Sequence, residues 1–73
     1  MALFKHKVKK DVLLLAMLGK GFFTQADLSV KSGLNRATIS KIFNKPEKPV
    51  SYQTARKIAI ATGKAVDELF TIG

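Results

Sequence analysis

The stretch Gln25-Ala26-Asp27-Leu28-Ser29-Val30-Lys31-Ser32-Gly33-Leu34-Asn35-Arg36-Ala37-Thr38-Ile39-Ser40-Lys41-Ile42-Phe43-Asn44 decides how this chain is read. It consists of two short helical segments separated by a glycine. Thr24 stands where an N-cap belongs, and Asp27 falls three residues later, a variant of the capping box. Gly33 ends the first segment as a left-handed residue does after a helix. Asn35 is a natural N-cap for the second segment, which is expected to run to about Asn44. An arginine follows that cap at once. A capped helix that opens on arginine has the layout of one that enters a DNA major groove.

Outside this stretch the chain also reads as helices divided by turn signals, with no strand-like alternation long enough to count. Val8, Val12, Leu15 and Leu18 recur at i, i+4, i+7 and i+10 and predict a helix over about residues 7–19 with that stripe facing the core. Leu13, Leu14 and Met17 add apolar surface beside it. Gly19 and Gly21 stop this helix. After Asn44, Lys45-Pro46-Glu47-Lys48-Pro49 cannot continue a helix and reads as a loop. Ser51 caps a fourth helix with Ala55, Ile58, Ala59 and Thr62 inward, and Gly63 ends it. A short fifth helix over residues 65–70 returns Val66, Leu69 and Phe70 to the core. The expected fold is all-α: a compact bundle of five short helices around one core.

Composition narrows the function. The chain has 73 residues and a net charge of +8 from 13 Lys and Arg against 5 Asp and Glu. A chain of this length is read as one domain, residues 1–73, burying only about 60% of its unfolded surface. The positive excess favours nucleic acid or an anionic surface as partner. It is concentrated in Lys5, Lys7, Lys9, Lys10 and Lys20, and then in Lys31, Arg36, Lys41, Lys45 and Lys48. There is no cysteine, so neither a disulfide nor a thiolate metal site is expected. The run Val12 to Leu18 is far shorter than the roughly 20 residues of a membrane span. It follows lysines, but Gly19-Lys20-Gly21-Phe22-Phe23 supplies no signal-peptide cleavage site. The carboxylates are scattered and His6 is the single histidine, so no acid–base pair or nucleophile constellation is present. An enzyme, a cofactor, a metal and a small-molecule ligand are therefore not expected. Nor is a membrane partner, because the lysines precede the apolar run and form no polar face along it.

Five blocks then carry a resemblance: Thr24-Gln25-Ala26-Asp27-Leu28, Gly33-Leu34-Asn35, Thr38-Ile39-Ser40, Ala55-Arg56-Lys57-Ile58-Ala59 and Val66-Asp67-Glu68-Leu69-Phe70. In order and spacing they are similar to the Cro and phage-repressor type of helix-turn-helix domain, the XRE family. The resemblance covers roughly residues 7–70. It implies a central helix-turn-helix with a lambda-repressor-like arrangement. It also implies that Arg36 and Ala37, and one turn on Ser40 and Lys41, read base edges. Thr24, Gln25, Asn35, Thr38, Asn44, Lys45 and Lys48 are implied to touch the DNA backbone.

The chemistry is compatible with these roles. Arg36 can donate two hydrogen bonds to guanine, and Ala37 can meet a thymine methyl. A helix N-terminus beginning at Gln25 favours phosphate. Two places depart from the family pattern. Phe43 stands where many members keep a glutamate paired with an arginine of the first helix, and here it is expected to pack on Met17 or Leu18 instead. Gly21-Phe22-Phe23-Thr24 has one residue more than usual before the cap.

The function implied is a sequence-specific regulator of transcription that binds double-stranded DNA. In particular it is expected to be a small Cro-like repressor occupying an operator as a homodimer, in the cytoplasm, encoded by a bacterium or phage. The competing reading is an antitoxin, which would bind DNA through the same fold but take a toxin as main partner. Leu13, Leu14 and Met17, or Leu3, Phe4 and the Phe70-Thr71-Ile72 tail, are the candidate dimer elements. The Lys5-His6-Lys7-Val8-Lys9-Lys10 cluster is read either as an arm that follows the DNA backbone or enters a minor groove, flexible over residues 1–6, or as a frayed, solubilising end, and His6 as a surface residue. Lys31, Lys57 and Lys64 are read as ordinary solvated charges.

Overall fold

The computed structural model describes residues 6–72. In chain order the elements are β1 (His6–Val8), α1 (Lys10–Gly19), α2 (Gln25–Ser32), α3 (Arg36–Asn44), α4 (Tyr52–Thr62), α5 (Val66–Leu69) and β2 (Phe70–Ile72). Five short helices packed on one core make the fold an all-α bundle, as the sequence predicts, with a small two-stranded sheet added at its edge.

The helix boundaries follow from local chemistry. Before α2, the Thr24 hydroxyl accepts the Asp27 N–H at 3.1 Å, and the Asp27 carboxylate accepts the N–H groups of Phe23 and Thr24 at 3.0 and 3.2 Å. That reciprocal pairing satisfies donors which an uncapped helix would leave open. These bonds, led by the one from Phe23, hold the Asp27 carboxyl below its ordinary pKa despite partial desolvation. Asn35 Oδ1 accepts the Thr38 N–H at 2.8 Å, and Ser51 Oγ accepts the Thr54 N–H at 3.2 Å. Gly33 closes α2 at φ 75° and Gly63 closes α4 at φ 72°, conformations that cost a residue with a Cβ but not glycine.

The N-terminal region differs from the sequence reading. A helix from residue 7 is expected, but α1 begins at Lys10 and His6–Val8 form a strand. This strand runs antiparallel to β2, with His6 opposite Ile72, Lys7 opposite Thr71 and Val8 opposite Phe70. Each strand has three residues, too short for alternation to show, and the pairing joins opposite ends of the chain. On its other side β1 meets Val50, whose N–H donates to the His6 carbonyl at 2.8 Å. His6 is therefore not a surface residue. It is 3% exposed, its ring lies 5.6 Å from that of Tyr52, and its Nδ1 has no hydrogen-bond partner among the described residues. A flexible arm over residues 1–6 is thus excluded at His6, while residues 1–5, with Leu3 and Phe4, lie outside the described residues.

The phase of α1 also differs. Val12, Leu15 and Leu18 are expected in the core, yet they are 38, 70 and 54% exposed. Leu13, Ala16 and Met17 are buried in their place. This helix is apolar on more than one face, so its own periodicity does not select which face goes in. One long-range bond and one local bond anchor its two ends. The Lys9 N–H donates to the Leu69 carbonyl at 2.7 Å at one end. At the other end, Phe22 N–H returns to the Met17 carbonyl at 2.8 Å. The residue added before Thr24 is absorbed here: Phe22 enters the core and Phe23 points out.

The core joins Leu13, Met17 and Phe22 to Leu28, Ile39, Ile42, Phe43, Ile58, Leu69 and Phe70. Phe43 is buried in the same cluster as Met17, whereas Leu18 is exposed. Apolar packing has taken the place of an ion pair, a replacement that proteins accept without loss. Burial also removes Leu13, Met17 and Phe70 from the candidate dimer surface, leaving Leu14 of the named helix residues exposed.

Candidate nucleic-acid interface

The geometry of α2 and α3 is set by the residues between them. Gly33 N–H donates to the Ser29 carbonyl at 3.0 Å, while the Ser29 hydroxyl donates to the Leu34 carbonyl across the turn. The Leu34 N–H in turn donates to Ser32 Oγ at 3.3 Å. Small hydroxyl side chains thus satisfy polar groups of the turn, and partly buried Leu34 packs it against the core.

This turn fixes which side of α3 faces outward. Ile39, Ile42 and Phe43 are buried. Arg36, Ala37 and Lys41 are exposed and Ser40 is half-buried, forming with Asn44 the opposite face at i, i+1, i+4, i+5 and i+8. The four residues expected to read bases therefore share one accessible face. Along it lies a surface hollow of about 500 Å³, lined by Ala37, Ser40, Lys41, Asn44, Lys45 and Lys48. Within that face Asn44 Nδ2 donates to Ser40 Oγ at 3.1 Å.

The residues expected at the DNA backbone surround this face. Asn35 spends Oδ1 on its own helix, so only its Nδ2 protons remain for a phosphate. Thr38 is half-buried beside it. Lys45 and Lys48 are exposed in the loop after α3. Gln25 opens α2 and is half-buried. Among the described residues the N–H groups of Gln25 and Ala26 have no protein acceptor, so they keep the anion-binding capacity of a helix start. Thr24 accepts from one N–H with its hydroxyl and gives its own N–H to Asp27, leaving its hydroxyl proton as its remaining donor.

Sequence reasoning did not single out the start of α4. Val50, Ser51 and Thr54 line a second hollow of about 260 Å³ with Asn35, Thr38 and Lys41. The signal in the sequence is Ser51, a helix cap just beyond Pro49. Of the basic cluster at residues 5–10, Lys7 lies exposed on β1, and Lys9 and Lys10 lie at the start of α1. No group of three or more His, Cys, Asp or Glu suited to a metal occurs among the described residues, and none of their helices is long and apolar enough to cross a membrane.

Taken together, capped α2, the glycine turn and an outward-facing basic α3 define a DNA-binding domain of the helix-turn-helix class. Comparison with known families agrees: the helix-turn-helix family matches residues 23–69, more than half of the chain, and the protein belongs to that family in its XRE type. It is a double-stranded-DNA-binding regulator of transcription, from a family that is not typically enzymatic. No match was found among curated proteins or among solved structures.

Proposed function

We propose that this regulator is a small Cro-like repressor that reads a symmetric operator as a homodimer and acts by covering a promoter. The observation that carries the reading is the division of α3 into a buried edge of Ile39, Ile42 and Phe43 and an accessible face of Arg36, Ala37, Ser40 and Lys41. In this reading Arg36 pairs with guanine, Ala37 meets a thymine methyl, and Ser40 and Lys41 contact the bases one turn on. Thr24, Gln25, Asn35, Thr38, Asn44, Lys45 and Lys48 hold the two flanking phosphate runs. They set register without reading sequence. Exposed Val12, Leu14, Leu15 and Leu18 on α1 support association between copies, since apolar patches of that kind mark contact surfaces.

Binding-site selection on the purified protein at two salt concentrations tests the proposal. The expected result is a palindromic motif with half-sites about 34 Å apart, centre to centre. Log affinity should fall with log salt by about 0.9 for each phosphate neutralised. Recovery of a single unpaired half-site would contradict the dimer, and recovery of no motif would contradict base reading.

A further inference from the structure

A serine in a reading helix is ambivalent, because a hydroxyl can donate to a base or accept from one. In this protein a bond inside α3 shifts the balance toward donation. Asn44 Nδ2 donates to Ser40 Oγ at 3.1 Å and occupies one of its two lone pairs. The Ser40 proton stays uncommitted: among the described residues no carbonyl accepts it. Thr62 shows the alternative, because its hydroxyl donates back to the Ile58 carbonyl at 3.0 Å. Ser40 is half-buried and Asn44 exposed, and both line the hollow together with Lys45 and Lys48.

We infer that Asn44 is a positioning residue that makes Ser40 a proton donor toward the major groove, so that the base beneath this turn is read as an acceptor. Guanine O6 and N7, adenine N7 and thymine O4 satisfy that donor. Cytosine offers only its N4 donor in the major groove and is disfavoured on the contacted strand. Asn44 thereby acts on specificity through Ser40, beyond the backbone contact that its position at the end of α3 suggests. The inference rests on the reading of α3 as the base-reading helix.

The test is binding-site selection with the full chain as wild type, Arg36→Ala, Ser40→Ala, Asn44→Ala, the double variant Ser40→Ala/Asn44→Ala and Asn44→Asp, with helix content checked by circular dichroism. Asn44 is exposed at the last residue of α3, so its variants are expected to fold. For the wild type, cytosine should be selected against about fivefold at one position per half-site, the low end of what one base pair is worth. Ser40→Ala should abolish that preference. Asn44→Ala should relax it at the same position, and the double variant should do no more than Ser40→Ala alone. Asn44→Asp is the sharper case. A carboxylate can only accept, so it accepts a hydrogen bond from the Ser40 hydroxyl, leaves the oxygen lone pairs facing the groove and shifts selection toward cytosine N4 or adenine N6. A motif left unchanged by Asn44→Ala, or affinity lowered equally for all four bases, overturns this inference alone. A motif unchanged by Arg36→Ala and by Ser40→Ala overturns the reading of α3 and the inference with it.

Discussion

Asp27 shows how much a single residue sets in a chain this small. Its carboxylate accepts two N–H groups ahead of α2, and its own N–H completes the box with Thr24. Because these bonds favour the ionised form, its pKa in the folded protein lies below its unfolded value. The unfolded chain then binds more protons in that interval, so stability rises with pH. The contribution is complete above about pH 4 to 5 and is lost as the pH falls through the folded value. Asp27→Asn should lower the melting temperature at pH 7, and the difference from wild type should shrink as the pH is lowered below about 4, as followed by thermal unfolding across that range. Gln25 lies two residues away and tests a different property. If its side chain and helix start hold a phosphate, Gln25→Ala should weaken binding to operator and random duplex alike. The loss should be roughly tenfold, as for a hydrogen bond to a charged group worth about 1.5 kcal/mol. Caps of this kind were legible in the sequence because each needs only a side chain and an N–H three residues on. His6 was not legible, since its burial depends on Val50, Tyr52 and a strand at the other end of the chain.

At the level of elements, α2, α3 and α4 stand where caps and periodicity put them, and α1 does not. Of these, α3 has one apolar edge, so its pattern admits a single phase, whereas α2 and α4 also carry outward Val30 and Ile60 and owe their placement to their caps. The first helix has apolar residues all round, and its phase comes from the backbone bonds of Lys9 to Leu69 and of Phe22 to Met17. Two alanine substitutions separate the alternatives. Leu13→Ala should cost about 2–5 kcal/mol, the loss from emptying a fully buried site. Leu15→Ala should change folding stability by no more than about 0.5 kcal/mol, because it lies largely in solvent. Denaturant unfolding of the two variants checks this, and the opposite ranking would restore the stripe of Val12, Leu15 and Leu18 to the core. The two strands escaped sequence reading for a related reason: three-residue segments carry no period, and their partners are set by how the ends of the bundle meet. The reading face of α3 was legible because its buried edge is strictly spaced and its outward residues are what that spacing leaves over.

For the whole molecule, charge and fold point the same way. The net charge of +8 gives affinity for any duplex, and specificity must come from the face that α3 presents. The match to the helix-turn-helix family spans α2 to α5 and leaves β1, α1 and β2 outside it. These are also the elements the sequence placed least well. The N-terminal segment thus adapts a common reading unit to a chain that closes its edge with a strand pair and keeps apolar residues of α1 exposed. The central claim, that Arg36 at the head of α3 reads a base, is tested most directly by one pair of titrations. Wild type and Arg36→Ala are titrated against the selected operator and against a random duplex at the same salt concentration. The account predicts that operator binding weakens between about five- and 150-fold per half-site, the worth of a bidentate arginine–guanine pair of about 1–3 kcal/mol, with a much smaller change on random DNA. Equal loss on both duplexes would contradict it, because Arg36 would then be a phosphate contact only.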